Sequence, residues 1–325
     1  MTQLGLESMI PRYPALSVTQ SDLASFVTDR RSWFLGVYLG LRSKTPVVTG
    51  AACLGTRLHA ALEEYYGYSR DLLDAYDDVV RKERLRLSLA TFYYDKEEWE
   101  KEVSLGRTML EGYEEWLVET DADRDLEVIA AEQKLTHIID VEGTPVELKG
   151  KIDCRMRNTF TGQAIIMDWK TTGTFDKLTE IAHQAPQLLT YCTLSQLVFK
   201  DEPENASQCA MYTMFRRVGR SARAKPPFYD RITVNHSKTR LRIFYTQLYG
   251  MLCDYTAAVA ALDAGVDHRM VAYPNPNPWS RYSPYRGIIE LMYDGSRVED
   301  MIAEQFVQSD PHARYEEPGL LSEIS

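Results

Sequence analysis

The sequence predicts an α/β fold: a central mixed β-sheet flanked by helices, with a helical insertion over 65–125. Three patterns point there. From about Ser69 to Glu119 apolar residues recur at helical spacing, with Trp99, Val103, Leu110, Tyr113 and Leu117 on one face and Lys96, Glu97, Glu100 and Lys101 on the other. From Leu126 to Lys170 strand-like runs are separated by two turn clusters, Val141-Glu142-Gly143-Thr144 and Thr159-Phe160-Thr161-Gly162. Two further strand-like pieces, Cys209 to Phe215 and Tyr229 to Val234, precede a long helical stretch from about Ser237 to Leu262.

In chain order, Thr19-Gln20-Ser21-Asp22 fits an N-terminal capping pattern and opens a helix expected to reach about Leu35. After a turn near Pro46, Gly50 to Tyr66 reads as a helix that carries Gly55 and His59. The strands of 126–170 follow the insertion. Pro186 then starts a helix to about Val198, because proline fits the first helical turn. No internal repeat or low-complexity tract interrupts the chain, and the tail after Asp310 is polar and expected to be loose.

Composition bounds the function classes. The 325 residues are 44% hydrophobic and 26% charged, as in one large soluble domain or two smaller ones. No apolar run approaches the ~20 residues needed to span a bilayer, so no membrane role is expected. The N-terminus lacks a basic region followed by an apolar core, and the five cysteines are scattered without a CxxC pair. Both features suit a reduced compartment, the cytoplasm or a nucleoid-associated location. The net charge is −10, yet residues 213–242 hold nine Lys/Arg against Asp230 alone, which is +8 and leaves −18 elsewhere. A basic stripe on an acidic protein can focus a polyanion onto one face.

The run Ala164-Ile165-Ile166-Met167-Asp168-Trp169-Lys170 places an acid and a lysine two apart, on one face of a strand. If the strands form a meander, the turn centred at about 160.5 sets Asp153 opposite Asp168, and the turn centred at about 142.5 sets Glu132 opposite Asp153. Three carboxylates then line up beside Lys170. Directly opposed side chains in a sheet sit roughly 4.5–5.5 Å apart, where like charges repel. A divalent cation would justify such a row, since Mg²⁺ takes carboxylate oxygens.

Other chemistries lose support. The six histidines form no HxH or HxxxH pair, which argues against a zinc hydrolase. Neither a GxxxxGK[ST] loop nor a GxSxG elbow occurs, so neither a built-in ATP motor nor the commonest serine hydrolase is expected.

Five elements occur in fixed order over about 140 residues. They are Gly55-x-x-x-His59, Glu132, Gly150-x-Ile152-Asp153, Asp168-x-Lys170 and Gln187-x-x-x-Tyr191. This order resembles the RecB-like branch of the PD-(D/E)XK nuclease superfamily, which includes recombination helicase-nuclease domains, CRISPR adaptation nucleases and phage exonucleases. The resemblance covers about Gly50 to Leu197. It implies a single nuclease domain over 1–325, with a catalytic core at 126–200 and a C-terminal segment at 263–325 that packs back on the N-terminus.

It also implies that His59, Asp153, Asp168 and the carbonyl of Trp169 bind one or two Mg²⁺ or Mn²⁺ ions. Glu132 completes the acidic cluster, and Lys170 orients and helps deprotonate the attacking water. Gln187 and Tyr191, one turn apart, face the site and contact DNA or position the lysine. Arg216, Arg217 and Arg220 are the expected DNA contacts in the basic stripe, while Glu63, one turn beyond His59, reads as solvated, with a supporting place behind the ligands as the alternative. The function implied is a metal-dependent exonuclease in recombination, repair or phage DNA processing. The alternatives are a structure-specific or adaptation-type endonuclease and a non-catalytic DNA-binding scaffold. A helicase, annealing protein or other recombination factor would be a separate chain.

One departure stands out. Many relatives tie their ends together with a [4Fe–4S] cluster, whereas Thr28, Ser280, Ser283 and Ile289 stand here where cysteines would be. Serine, threonine and isoleucine cannot replace the thiolates, so no iron–sulfur cluster is expected. The two segments should instead meet by packing, with Trp279, Tyr282 and Tyr285 against Trp33 and Phe34.

Overall fold

A computed structural model describes residues 16–221, 223–273, 285 and 298–313. Its strands form a six-stranded mixed sheet of order β1-β4-β5-β6-β7, with β3 also paired to β4. The strands are β1 Ser17–Thr19, β3 Leu126–Val141, β4 Thr144–Asn158, β5 Ala164–Thr172, β6 Cys209–Arg216 and β7 Tyr229–Asn235. β4 and β5 are antiparallel with Cys154 opposite Met167, β5 and β6 are parallel with Asp168 beside Tyr212, and β6 and β7 are antiparallel. β5 reads as a continuous apolar run because it is central and covered on both faces, as the burial of Ala164 to Trp169 records.

The described residues fall into two compact units. The first contains the chain up to Pro46, Thr136–Lys149 and the described residues from Tyr245 onward. Here β1 runs parallel to the start of β4, with Val18 beside Leu148. Thr19 caps helix α1, Gln20–Thr28, in a reciprocal capping box with Asp22. The expected helix to Leu35 is broken at Asp29. This side chain accepts from the backbone N–H groups of Arg31 and Ser32 and starts a new helix, α2 Arg30–Trp33, which continues as a π turn over Phe34–Tyr38. A short antiparallel pair joins β2, Leu41–Ser43, to β8, Phe306–Gln308.

Trp33 packs edge-on against Phe26 and Tyr255, and Phe34 stacks on Tyr38 and His268. Tyr285 stacks instead on Phe306, and its hydroxyl donates to the Leu41 carbonyl. Trp279, Ser280, Tyr282, Ser283 and Ile289 lie outside the described residues. The five cysteines are free thiols, and Thr28 spends its hydroxyl on the Ala24 carbonyl.

The second unit contains Val47–Leu135 and Gly150–Phe244. Its helices are α3 Ala51–Tyr68, α4 Leu72–Ser88, α5 Lys96–Thr120, α6 Asp176–Ile181 and α7 Pro186–Val198. The single helical pattern expected over 69–119 is two helices, each opened by an aspartate, Asp71 and Asp95, whose side chain accepts from the first-turn N–H groups. Trp99, Leu110 and Tyr113 are buried, as the periodicity requires. They share a core with Leu58 and Leu62 of α3 and with Met167, Trp169 and Phe215 of the sheet. Helix α8, Lys238–Asp263, begins in this unit and continues into the first. Short helices α9 His268–Val271 and α10 Val298–Gln305 complete the described elements. Among the described residues, no helix is long and apolar enough to cross a membrane.

Candidate active site

The acidic row forms where β4 and β5 pair. Continuing their register one step from Cys154 and Met167 sets Asp153 opposite Asp168, as the turn arithmetic predicts. Asp153 Oδ2 accepts from the Trp169 N–H at 2.8 Å, which fixes its carboxylate across the strand pair. Asp168 is fully buried; its Oδ1 is hydrogen-bonded, whereas its Oδ2 faces the Lys170 ammonium as an ion pair without a hydrogen bond. Lys170 Nζ lies 2.7 Å from Oδ2, and Gln187 Nε2 donates to Oδ1 at 2.9 Å. Gln187 also donates to the Tyr191 hydroxyl at 3.2 Å, so the pair one turn apart on α7 acts as a clamp on Asp168.

Two glycines lie where helices meet the sheet. A Cβ on Gly55 would lie 3.4 Å from Thr171 Oγ1, an ordinary contact, so α3 rests on β5 there one turn before His59 without needing a glycine. A Cβ on Gly150 would come within 3.0–3.3 Å of Leu194 and the Tyr191 ring, tighter than most side chains tolerate. Glycine there brings α7, and with it Gln187, against the sheet.

His59 turns from α3 onto the row. Its Nε2 is 2.9 Å from the Trp169 carbonyl, its Nδ1 is 3.5 Å from Asp153 Oδ2, and its ring meets the Trp169 indole edge-on. Tyr66, two turns further on the same helix, stacks on that indole with centroids 5.7 Å apart. Behind it, Tyr66, Tyr113, Asp123 and Arg231 form a buried hydrogen-bonded cluster. Arg231, counted in the basic stripe from sequence, therefore points inward.

Glu132 enters from β3 with a left-handed backbone, φ +49°, and its carboxylate is 2.6 Å from Lys151 Nζ. One donor atom each from His59, Glu132 and Asp153 lies within 4.8 Å of the others. Glu63 is buried rather than solvated, and its charge reaches Glu132.

The charges are strongly coupled. Burial alone would lower the His59 pKa, but Asp153 and then Asp168 outweigh it and hold the imidazolium up to about 9. Burial, reinforced by Asp153, lifts Asp168 to about 6 against the pull of Lys170. Burial and then Asp153 also lift Glu132 to about 7 against Lys151. Asp153 is buried too, yet His59 and Lys170 keep it below the usual carboxylate range. Burial works against the Lys170 charge, but Asp168 and Asp153 more than compensate, so the ammonium is held above its ordinary value.

This donor set fits a hard divalent cation. It offers carboxylate oxygens, a backbone carbonyl and one imidazole, the mixture suited to Mg²⁺ or Mn²⁺. His59 Nε2 and the Trp169 carbonyl, hydrogen-bonded at 2.9 Å, are the nitrogen and carbonyl oxygen that could both turn to such an ion. Asp168 is not one of the three converging ligands, and its oxygens meet Lys170 and Gln187.

The basic residues extend from the same end of the sheet. Lys170 lies beside Met214 and Thr172 beside Arg216, so Arg216 and Arg217 begin about 7 Å beyond the Lys170 pairing. Arg216 braces its loop by donating to the Lys225 carbonyl, and Arg217 is exposed. Arg220 forms an ion pair with Glu115 at 2.5 Å.

Sequence reasoning passed over Lys151, Tyr66 and Tyr212, whose ring lies 5.7 Å from Lys170 Nζ. A signal for Lys151 existed: it is two residues from Asp153 on one strand and so shares its face. Tyr66 carried none beyond ordinary helical periodicity.

The family model for the PD-(D/E)XK nuclease superfamily matches residues 17–270. Among solved structures, an exonuclease candidate from Eubacterium rectale is similar at 9% identity and TM-score 0.44, over 78% of this chain and 83% of its own. LHK-Exo in complex with dAMP is similar at 12% identity and TM-score 0.32, over 77% of this chain and 94% of its own. No curated protein matches the chain.

Proposed function

This chain belongs to the PD-(D/E)XK nuclease superfamily, and from that premise we propose that it is a divalent-metal-dependent deoxyribonuclease that hydrolyses the phosphodiester bonds of DNA as an exonuclease. One observation carries the reading: donor atoms of His59, Glu132 and Asp153 converge within 4.8 Å on the strand pair where Lys170 is held by Asp168. A nuclease needs that combination of cation ligands and a fixed ammonium. The RecB-like assignment rests on the motif order from Gly55-x-x-x-His59 to Gln187-x-x-x-Tyr191, which exonucleases and endonucleases of that branch share.

His59, Asp153, Glu132 and the Trp169 carbonyl, with Asp168, would hold the Mg²⁺ or Mn²⁺. When bound, the ion supplies positive charge to a non-bridging phosphate oxygen and makes water nucleophilic near neutral pH. Lys170 is held protonated, so rather than take the water's proton its Nζ would orient the attacking water and donate to the non-bridging oxygens on which negative charge builds. Asp168 aims this ammonium, and Gln187 keeps Asp168 from rotating away. Tyr191, Arg216, Arg217 and Arg220 line the approach for DNA. A helicase or annealing protein that exposes ends would act upstream, in recombination, repair or phage DNA processing.

The test uses end-labelled linear duplex, single strand and closed circle, each with Mg²⁺, Mn²⁺ or chelator. Mononucleotide release from linear substrates, abolished by chelator and absent on the circle, is the expected result. Nicking of the circle would replace the exonuclease reading with an endonuclease one. Inertness on every substrate with both metals would leave a DNA-binding scaffold.

A further inference from the structure

We infer that Lys151 makes this a one-ion centre before DNA arrives: its ammonium holds the Glu132 carboxylate that a second cation would otherwise share. The inference rests on the metal-dependent reading above and adds the number of ions and the residue that sets it. Lys151 Nζ lies 2.6 Å from Glu132 Oε2, with the two side chains only 18% and 7% exposed. Both ends of the pair are built into the sheet. Lys151 and Asp153 are two residues apart on β4 and face the same side. Glu132 reaches that side through its left-handed backbone, φ +49°, a conformation that glutamate adopts only under tertiary constraint.

The formal charges explain why this pair matters. Glu132, Asp153 and Asp168 bring three carboxylates to the row, and Lys151 and Lys170 return two positive charges. The set stands at minus one with His59 neutral as a ligand, so one divalent ion already brings it to plus one. A second would leave plus three, and at short range such an excess is disfavoured. Without Lys151 each step carries one positive charge less, and the Glu132 oxygens are open to a second ion. Paired catalytic ions sit ~3.5–4 Å apart and need a shared carboxylate environment of that kind. Lys151 is thus a positioning residue: it acts through Glu132, and it sets how many cations the empty enzyme takes up.

The experiment titrates the full-length protein with Mn²⁺ alone, without DNA, for wild type, Lys151→Met and Lys151→Arg. Equilibrium dialysis counts the ions, and electron paramagnetic resonance distinguishes an isolated Mn²⁺ from an exchange-coupled pair. Wild type and Lys151→Arg should each hold one isolated ion per chain. Lys151→Met should take a second, with an exchange-coupled spectrum and second-site binding at least about tenfold tighter than any in wild type. Lys151→Gln carries the same expectation should Lys151→Met not fold, as judged by circular dichroism. A coupled pair in wild type, or one ion in both neutral variants, would overturn the inference and leave the metal-dependent reading standing. No ion bound by wild type would overturn both.

Discussion

His59 is held as an imidazolium by the same Asp153 that shares its cation, so metal uptake must expel a proton. The magnitude follows from the site's titration. With His59 at about 9 and Glu132 at about 7, the metal-free protein at pH 8 carries ~0.9 proton on His59 and ~0.1 on Glu132. Near pH 6.5, His59 is fully charged, Glu132 holds ~0.75 proton, and Asp168, at about 6, holds ~0.25. Binding should therefore release about one proton at pH 8 and about two at pH 6.5, so apparent affinity falls ~10-fold and then ~100-fold per pH unit. Isothermal titration of Mn²⁺ in two buffers of different ionisation enthalpy reads the proton count directly. His59→Gln should cut the count at pH 8 to ~0.1, and Glu132→Gln should remove most of the second proton at pH 6.5. Release of less than ~0.3 proton by wild type at pH 8 would refute the reasoning, because His59 could not then be both charged in the free protein and a ligand in the bound one.

The same groups govern stability without metal. Glu132, Asp168 and His59 all have folded pKa values above their ordinary ones, so each contributes stability that is present below its unfolded pKa and lost as pH rises through its folded pKa. Asp153, held low, works in the opposite sense but only in the acid range. The Tm of the metal-free protein should therefore fall between about pH 5 and 9, and saturating Mn²⁺ should flatten that slope; a Tm that climbs with pH would contradict it. Lys170→Met should lower the hydrolysis rate by about 10²–10⁴-fold yet keep the Mn²⁺-induced rise in Tm, whereas Asp153→Asn should lose both. Near-normal turnover by Lys170→Met would remove it from the chemistry. Reversing Arg216, Arg217 and Arg220 to Glu should raise KM and lower its salt slope by about 0.7–0.9 per lost phosphate contact. An unchanged slope would assign the stripe to solvent.

What the sequence revealed, and what it hid, divides along a physical line. The Asp153–Asp168 pairing was legible because a strand's period is two and the intervening turn has a short, defined centre, so register follows by counting. The start of α1 was legible from its Thr19 cap and that of α7 from Pro186 in its first turn, whereas the aspartate caps at Asp71 and Asp95 were not. The break at Asp29 was missed because an aspartate inside an apolar pattern looks the same whether it faces water or restarts a helix. Glu63 looked solvated for a similar reason: nothing local to α3 announces the carboxylate that β3 brings beside it. The basic stripe was a count of charges, and counting cannot tell Arg217, which is exposed, from Arg231, which is turned into a cluster of tyrosine hydroxyls. Local periodicity and capping survive translation into structure, while the pairing of charges from distant segments is settled only by the fold.

The left-handed backbone at Glu132 sets stability and chemistry at cross purposes. Glycine would adopt that conformation without the steric penalty a Cβ brings, and would also remove a carboxylate from a crowd of like charges. A variant with glycine there would relax the backbone but strand the Lys151 ammonium, which now faces the Glu132 carboxylate, and would hold its cation less well. The strained residue is thus kept in place from two sides, by the lysine it neutralises and by the cation it is proposed to bind.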